Sequence, residues 1–209
     1  YGGDVYYVDE ATGDDSDTGL SEALAFRTIS KAARVADAGD TVHIKAGNYG
    51  AENVVFANSG TADSRIRFLG YRVAPGDAPD VGWAYGTQGI DAAVMPLIDG
   101  GNRDAGFGLN LFENANDYIT IENFQVTNYA EGVRGRNNHY LVIKNVIVTN
   151  MGRVGYSGHG FTFIGVSYNN TFDGCVVENS TATAYRIYGY FNAVIDSKAY
   201  CDEFNGDAG

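Results

Sequence analysis

The chain has 209 residues, 44% of them apolar, with Gly and Tyr abundant (28 and 15) and Pro and Trp scarce (3 and 1). Its formal charge of −12 excludes general nucleic-acid binding, which needs a basic face to displace counterions, and disfavours loose attraction to anionic membranes. No run of eighteen apolar residues is present to span a membrane, and two cysteines exclude a disulfide-built scaffold.

In chain order, "DVYYVDEATGDDSDTG" reads as a strand entering an Asp- and Gly-rich loop. That loop lacks the spacing and distal Glu of an EF-hand, so it reads as turns. Ile29, Ala32, Ala33 and Ala36 then recur at helical spacing, which predicts a helix over 28–38 with Gly39 as its stop. Beyond residue 40 every periodic run is strand-like: "TVHIKA", "NVVFA", "RIRFLGY", "YITIENFQVTN", "YLVIKNVIVTN", "TFDGCVVENS" and "AVIDSKAYC". Residues 72–96, with Pro75 and Pro79, read as an insertion without periodicity.

The last four runs repeat one another. "ITIENFQVTN" (119–128) and "LVIKNVIVTN" (141–150) share aliphatic, Ile, charged, Asn, apolar, Val, Thr and Asn positions, and 170–179 and 193–202 follow more loosely. Ile121, Ile143, Phe172 and Ile195 fall at equivalent places, 22, 29 and 23 residues apart. A period near that length marks a solenoid whose single turn cannot bury its own face. Short strands joined by Gly and Asn corners predict a parallel β-helix, with Asn123 and Asn145 at a corner. One domain would then span 1–209, its clearest repeats lying at 117–202.

Stacking in that register puts Glu122, Lys144, Asp173 and Asp196 in one outward column, about 4.8 Å apart. Glu122 and Lys144 would pair, whereas Asp173 and Asp196 would repel unless they share a proton or a cation. Ca²⁺, with its loose oxygen coordination, is the candidate, and Asp202, Glu203 and Asp207 could add ligands. In the same register Lys198 takes the place of Cys175, breaking an apolar column. Cys175 and Cys201 lie too far apart along neighbouring strands for a disulfide, so both are expected as free thiols.

Residues 131–160 hold Arg134, Arg136, Lys144 and Arg153 against Glu131 alone, with His139 and His159 nearby. Such a strip on an acidic protein could seat the carboxylates of a uronic-acid chain, since Arg makes two-point contacts with carboxylates. Substrate contacts are thus expected at Arg134, Arg136, Arg153, His159 and Tyr156, with Tyr129, Tyr185 or Tyr188 under sugar rings.

The Tyr-Val strand, the Gly-Asp loop, "FRTISKAARVADAGDTVHIKAGNYG", "NSGTADSRIRFLGY" and "PLIDG" together resemble the opening of right-handed parallel β-helix proteins of the pectate-lyase type. The resemblance covers nearly the whole chain. It implies a right-handed β-helix with the helix capping its N-terminal end, and it adds weight to clustered Asp binding Ca²⁺. It also implies a polysaccharide lyase, secreted or on the cell surface, that cleaves an acidic glycan by β-elimination. The base in such lyases is typically Lys or Arg, which singles out Lys198 and Arg186. The competing expectation is a non-catalytic extracellular structural or adhesive β-helix that stacks end to end, a reading the acidic charge favours. "YCDEFNGDAG" leaves the last coil without a polar cap, and a natural chain that continues past Gly209 is the favoured explanation. The sequons at Asn169 and Asn179 would matter only in a glycosylating host.

Overall fold

A computed structural model describes residues 2–84, 90–101, 106–152 and 158–200. The strands are β1 (Val5–Val8), β2 (Thr41–Lys45), β3 (Val54–Val55), β4 (Ile66–Tyr71), β5 (Leu97–Asp99), β6 (Phe107–Leu111), β7 (Ile119–Thr127) and β8 (Glu131–Arg136). They continue as β9 (Val142–Met151), β10 (His159–Ile164), β11 (Thr171–Asp173), β12 (Val176–Ser180), β13 (Thr183–Ile187), β14 (Ala193–Ile195) and β15 (Lys198–Tyr200). Every strand pairing is parallel. One sheet runs β1-β2-β4-β7-β9-β11-β14, with β5, β12 and β15 attached, and a second runs β13-β10-β8-β6-β3. The expected β-helix is the fold.

Each complete coil has three faces. β7 and β9 supply two of them, because each bends at an asparagine, Asn123 (φ 63°) or Asn145 (φ 48°). Asn tolerates this left-handed conformation. It also carries a ladder: Asn145 Nδ2 donates to Asn123 Oδ1 (2.8 Å), and Asn123 Nδ2 donates to the Gly70 carbonyl (3.0 Å). A second corner repeats the device with Asn128, Asn150 and Asn179, all at positive φ.

Inside, aliphatic and aromatic residues stack in files. On the first face Val42, Phe68, Ile121, Ile143 and Phe172 follow one another on successive rungs, all buried. Val126, Val148 and Val177 form the second-face file, and Leu109, Val133 and Phe161 the third. The third-face strands carry Gly108, Gly132 and Gly160 opposite Val126, Val148 and Val177, and a Cβ at any of these glycines would collide with that valine. The two faces press together at this line, and only glycine fits.

The last coil departs from expectation by one residue. Phe172 pairs with Val194, not Ile195, and Val176 pairs with Lys198, because the final repeat is 22 residues long rather than 23. The helix is also shorter than expected. α1 (Ile29–Val35) starts at Thr28, whose Oγ1 accepts from the Lys31 amide, and ends before Gly39, which makes the turn into β2. Ile29, Ala32 and Ala33 enter the core against β1 and β3 at the N-terminal end. The Asp-rich loop is a set of turns, as expected, with Asp15 accepting from the Arg27 and Thr28 amides. A short 3-10 helix at Glu22–Leu24 completes it.

Over the described residues the 72–96 segment contains no strand or helix and lies across the outer side of the second face. Met95 is buried there with Ile147 and Val176, and Val81 and Trp83 pack alongside. Gln125, fully buried, holds it: its Oε1 accepts from the Asp91 amide, and its Nε2 donates to the Asp91 and Met95 carbonyls.

Candidate functional site

The residues singled out from sequence separate onto different faces. Glu122 and Lys144 do pair across a rung (3.5 Å). The carboxylate rung next to them is not formed. Asp173 has Lys144 on one side and Ile195 on the other, and Asp196 sits one place further along at the left-handed corner (φ 46°). The reason is the one-residue register change. Asp202, the third expected ligand, lies outside the described residues. Among the described residues no group of three His, Cys, Asp or Glu side chains is gathered as a metal site.

Lys198 is exposed on the second face, with its Nζ 5.6 Å from the centre of the Trp83 ring. It does not replace Cys175 in the core. The Cys175 amide donates to Ser197 Oγ, and the buried Cys175 thiol is free, with burial pushing its pKa up to about 12. Cys201 lies outside the described residues.

The third face gathers the rest. Four rungs present outward residues in register: Phe107, Asn110 and Phe112 on and just after β6; Glu131, Arg134 and Arg136 on β8; His159, Thr162 and Ile164 on β10; and Thr183, Arg186 and then Tyr188 along β13. Asn110, Arg134, Thr162 and Arg186 therefore form one file, and Phe107, Glu131, His159 and Thr183 another. The expected residues Arg134, Arg136, His159 and Arg186 share this face. Arg153 and Tyr156 lie outside the described residues.

Arg134 is fixed. Its guanidinium carbon lies 3.8 Å from the centre of the Phe107 ring and 3.9 Å from that of Phe112, and its Nε is 3.8 Å from Glu131 Oε2. Arg136 approaches Phe112 and Arg186 approaches Tyr188, each at 5.5 Å. Cations over aromatic faces are held without loss of their hydrogen-bonding edges.

Two of these side chains hide polar atoms that have no partner, His159 Nδ1 and Thr162 Oγ1, while the buried Glu131 Oε2 and Arg134 Nε face each other as an ion pair. His159 and Thr162 are 8% and 4% exposed. Buried polar groups are nearly always paired, because leaving one unpaired costs roughly 1–3 kcal/mol, so the two on neighbouring positions of β10 mark this face as a candidate site. Burial holds the His159 imidazole below its ordinary pKa; Glu131 partly offsets this and Arg186 adds to it. The ring is thus neutral near pH 7 and able to take a proton.

Tyr129 and Tyr185 are not sugar platforms. Tyr129 is buried and its hydroxyl donates to the Glu52 carbonyl, while Tyr185 stacks on Phe161 and donates to the Cys175 carbonyl. Tyr188 is 53% exposed and remains beside the face. Sequence reasoning missed Phe107, Phe112 and Thr162, and it noted Glu131 only as the strip's one acid. Elsewhere, a cleft of about 350 Å³ lined by Tyr7, Asp9, Thr12, Glu22, Lys45 and Tyr71 opens near the N-terminal end, but its Asp9 and Lys45 satisfy each other at 2.8 Å.

No helix among the described residues is long and apolar enough to cross a membrane. No protein-family profile matches the sequence, and no curated protein does. Solved structures do. A rhamnogalacturonan lyase matches over 94% of this chain and 51% of its own, with 17% identity and a TM-score of 0.65. A lacto-N-biosidase from Eubacterium ramulus matches with the same identity and TM-score over 94% of this chain and 41% of its own. The chain thus spans about half the length of the lyase and less of the biosidase. At such identity the likeness is one of architecture, and it agrees with the register of the strands: the chain has the parallel β-helix fold that its opening motif resembles.

Proposed function

We propose that the chain is the β-helical part of an extracellular carbohydrate-active protein that cleaves a uronate-containing glycan by β-elimination on its third face. The observation that carries this is the convergence of three arginines, a neutral histidine and one carboxylate on strands of a single sheet, with unpaired buried polar atoms on His159 and Thr162. The fold neighbours support it in a coarser way, since both are named for action on carbohydrates.

The side chains can divide the work. Arg134, held edge-out between two rings, binds the uronate carboxylate and stabilises the charge that spreads onto it when the neighbouring C–H is broken. His159 takes that proton from C5. The electron pair forms the C4–C5 double bond, the C4–O bond breaks, and the imidazolium returns the proton to the departing oxygen. Arg136 and Arg186 hold the flanking chain. A hydrolase would need two carboxyl groups, and among the described residues of this sheet's strands only Glu131 carries one. Lys198, on the neighbouring face, has no part in this scheme.

Incubation with pectate, rhamnogalacturonan, alginate and chondroitin, with and without Ca²⁺, tests the reading. One of them should yield the ultraviolet absorbance of an unsaturated uronate, and His159→Gln should abolish it. New reducing ends without that absorbance would refute elimination, and binding without any cleavage would support the adhesive alternative.

A further inference from the structure

We infer that the cleft near the N-terminal end is a second ligand site, which takes one ring of a neutral sugar. It shares no strand with the third face and does not depend on the reading of that face.

The cleft lies on the first face, between β1, β2 and the end of β4 on one side and the loop over residues 9–25 on the other. Backbone bonds hold the loop in place: the Tyr7 amide donates to the Gly19 carbonyl, the Asp9 amide to that of Phe26, and the Asp14 amide to that of Ala25. The space of about 350 Å³ between strands and loop is therefore already shaped, and it falls within the range of small-molecule sites.

Tyr71 is the telling group. It is 3% exposed, yet its hydroxyl bonds no group among the described residues and is not one of the atoms sealed from solvent. A hydroxyl in so buried a side chain is nearly always paired, so this one is left for a partner that enters the cleft. Burial, with Glu22 and Asp9 nearby, pushes its pKa up to about 12, which keeps it a donor at neutral pH.

The ion pair beside it is not saturated. Asp9 is committed to Lys45, the Ala11 amide and the Thr12 hydroxyl. Lys45 spends one of its three protons on Asp9 Oδ2, and its side chain is 43% exposed. Glu22, exposed on the loop side, makes no ion pair among the described residues. Donors from Lys45 and Tyr71 thus face the same space as an acceptor from Glu22. Sugar hydroxyls, each both donor and acceptor, can use all three. Tyr7, Ala23 and Ala25 complete the wall with apolar surface.

Charge selects among sugars. Two carboxylates against one ammonium leave the cleft acidic, on a chain of net charge −12, which disfavours a uronate. An amino sugar would bring its ammonium against Lys45.

The test is ligand-observed NMR of the whole chain with galactose, glucose and rhamnose, and with galacturonate and glucosamine, each titrated into the tens of millimolar. Wild type, Tyr71→Phe, Ala23→Trp and Arg186→Gln would be compared, with circular dichroism confirming that each is folded. At least one neutral sugar should bind in the millimolar range. Tyr71→Phe should weaken it about fivefold, the worth of one hydrogen bond. Ala23→Trp, which fills the cleft from its exposed side, should abolish binding, and Arg186→Gln should leave it unchanged. Tighter binding of galacturonate or glucosamine, lost in Ala23→Trp, would overturn the choice of a neutral sugar. Binding that Arg186→Gln removes and the two cleft variants keep would put the sugar on the third face and overturn the cleft. No binding of any of these sugars would overturn it as well, and would leave the third face untouched.

Discussion

The corner at Asn145 permits a calculation from the structure. Its Nδ2 donates to Asn123 Oδ1 at 2.8 Å and to the Pro79 carbonyl at 3.2 Å, so it ties one coil to the next and to the segment across the second face. Its backbone is left-handed, φ 48°. Asn145→Ala removes these two hydrogen bonds to oxygen, each worth about 1 kcal/mol net, together with a weak contact to Met95 Sδ, and places a Cβ-bearing residue without a local polar group in a conformation that costs roughly 1–2 kcal/mol. The expected destabilisation is about 3–4 kcal/mol. Asn145→Gly loses the same bonds without the steric cost, but adds about 0.5–1 kcal/mol of backbone entropy, giving about 2.5–3 kcal/mol. The chain already contains this comparison: the next rung puts Gly174 at the same corner with φ 60°. Denaturant titrations monitored by circular dichroism, with slopes checked for constancy, would measure both variants. If Ala is tolerated as well as Gly, or if either costs less than about 1 kcal/mol, the corner ladder does not fix the stacking as argued.

Within the site, His159→Gln should lower turnover by about a hundredfold or more while leaving oligosaccharide affinity within a few fold, as separate kinetic and calorimetric measurements would show. pH acts through His43 and His159, both held below their ordinary pKa by burial. Depressed pKa values mean that the unfolded chain takes up protons that the folded one refuses. Stability is therefore full above about pH 6.5 and declines as pH falls through the folded values. The double variant His43→Gln/His159→Gln should flatten that decline, and an unchanged profile would refute the assignment. Cys175 should resist thiol reagents in the folded protein and react on unfolding, given a fully buried thiol with a raised pKa. The lone tryptophan, Trp83, donates to Glu178 and packs on Tyr200. Its emission should report docking of the 72–96 segment, and Met95→Ala should shift it to the red before the far-ultraviolet signal changes.

The fold was legible because a solenoid writes the same contact many times. Ile121 with Ile143, and Ile143 with Phe172, needed only the repeat to be noticed. The final rung misled because "FDGC" and "IDSK" look alike; matching their aspartates forced a 23-residue repeat, whereas the backbone closes in 22 and seats Ser197 beneath Cys175. The third face was nearly invisible. Its strands, "FGLNL", "EGVRGR" and "HGFTFI", carry glycine where an alternating pattern would carry an apolar residue, because the valines of the second face leave no room for a Cβ. The basic strip could be seen in composition, but the file of Arg134, Thr162 and Arg186 required residues from three coils to be aligned. The rings that clamp Arg134 carry no sequence signal that sets them apart from core phenylalanines.

The clasp at Gln125 has a further consequence. The 72–96 segment leaves after β4, which lies beside the first half of β7, and rejoins at β5, which docks beside the second half of β7, so it departs and returns within one coil, at the corner between two faces, and consumes none of the coil's period. Its length is thereby uncoupled from the stacking beneath it. Gln125 on β7, Asn145 on β9 and Glu178 on β12 each moor it from the sheet surface, which makes this corner a socket where a segment of another length can be grafted without retuning the scaffold.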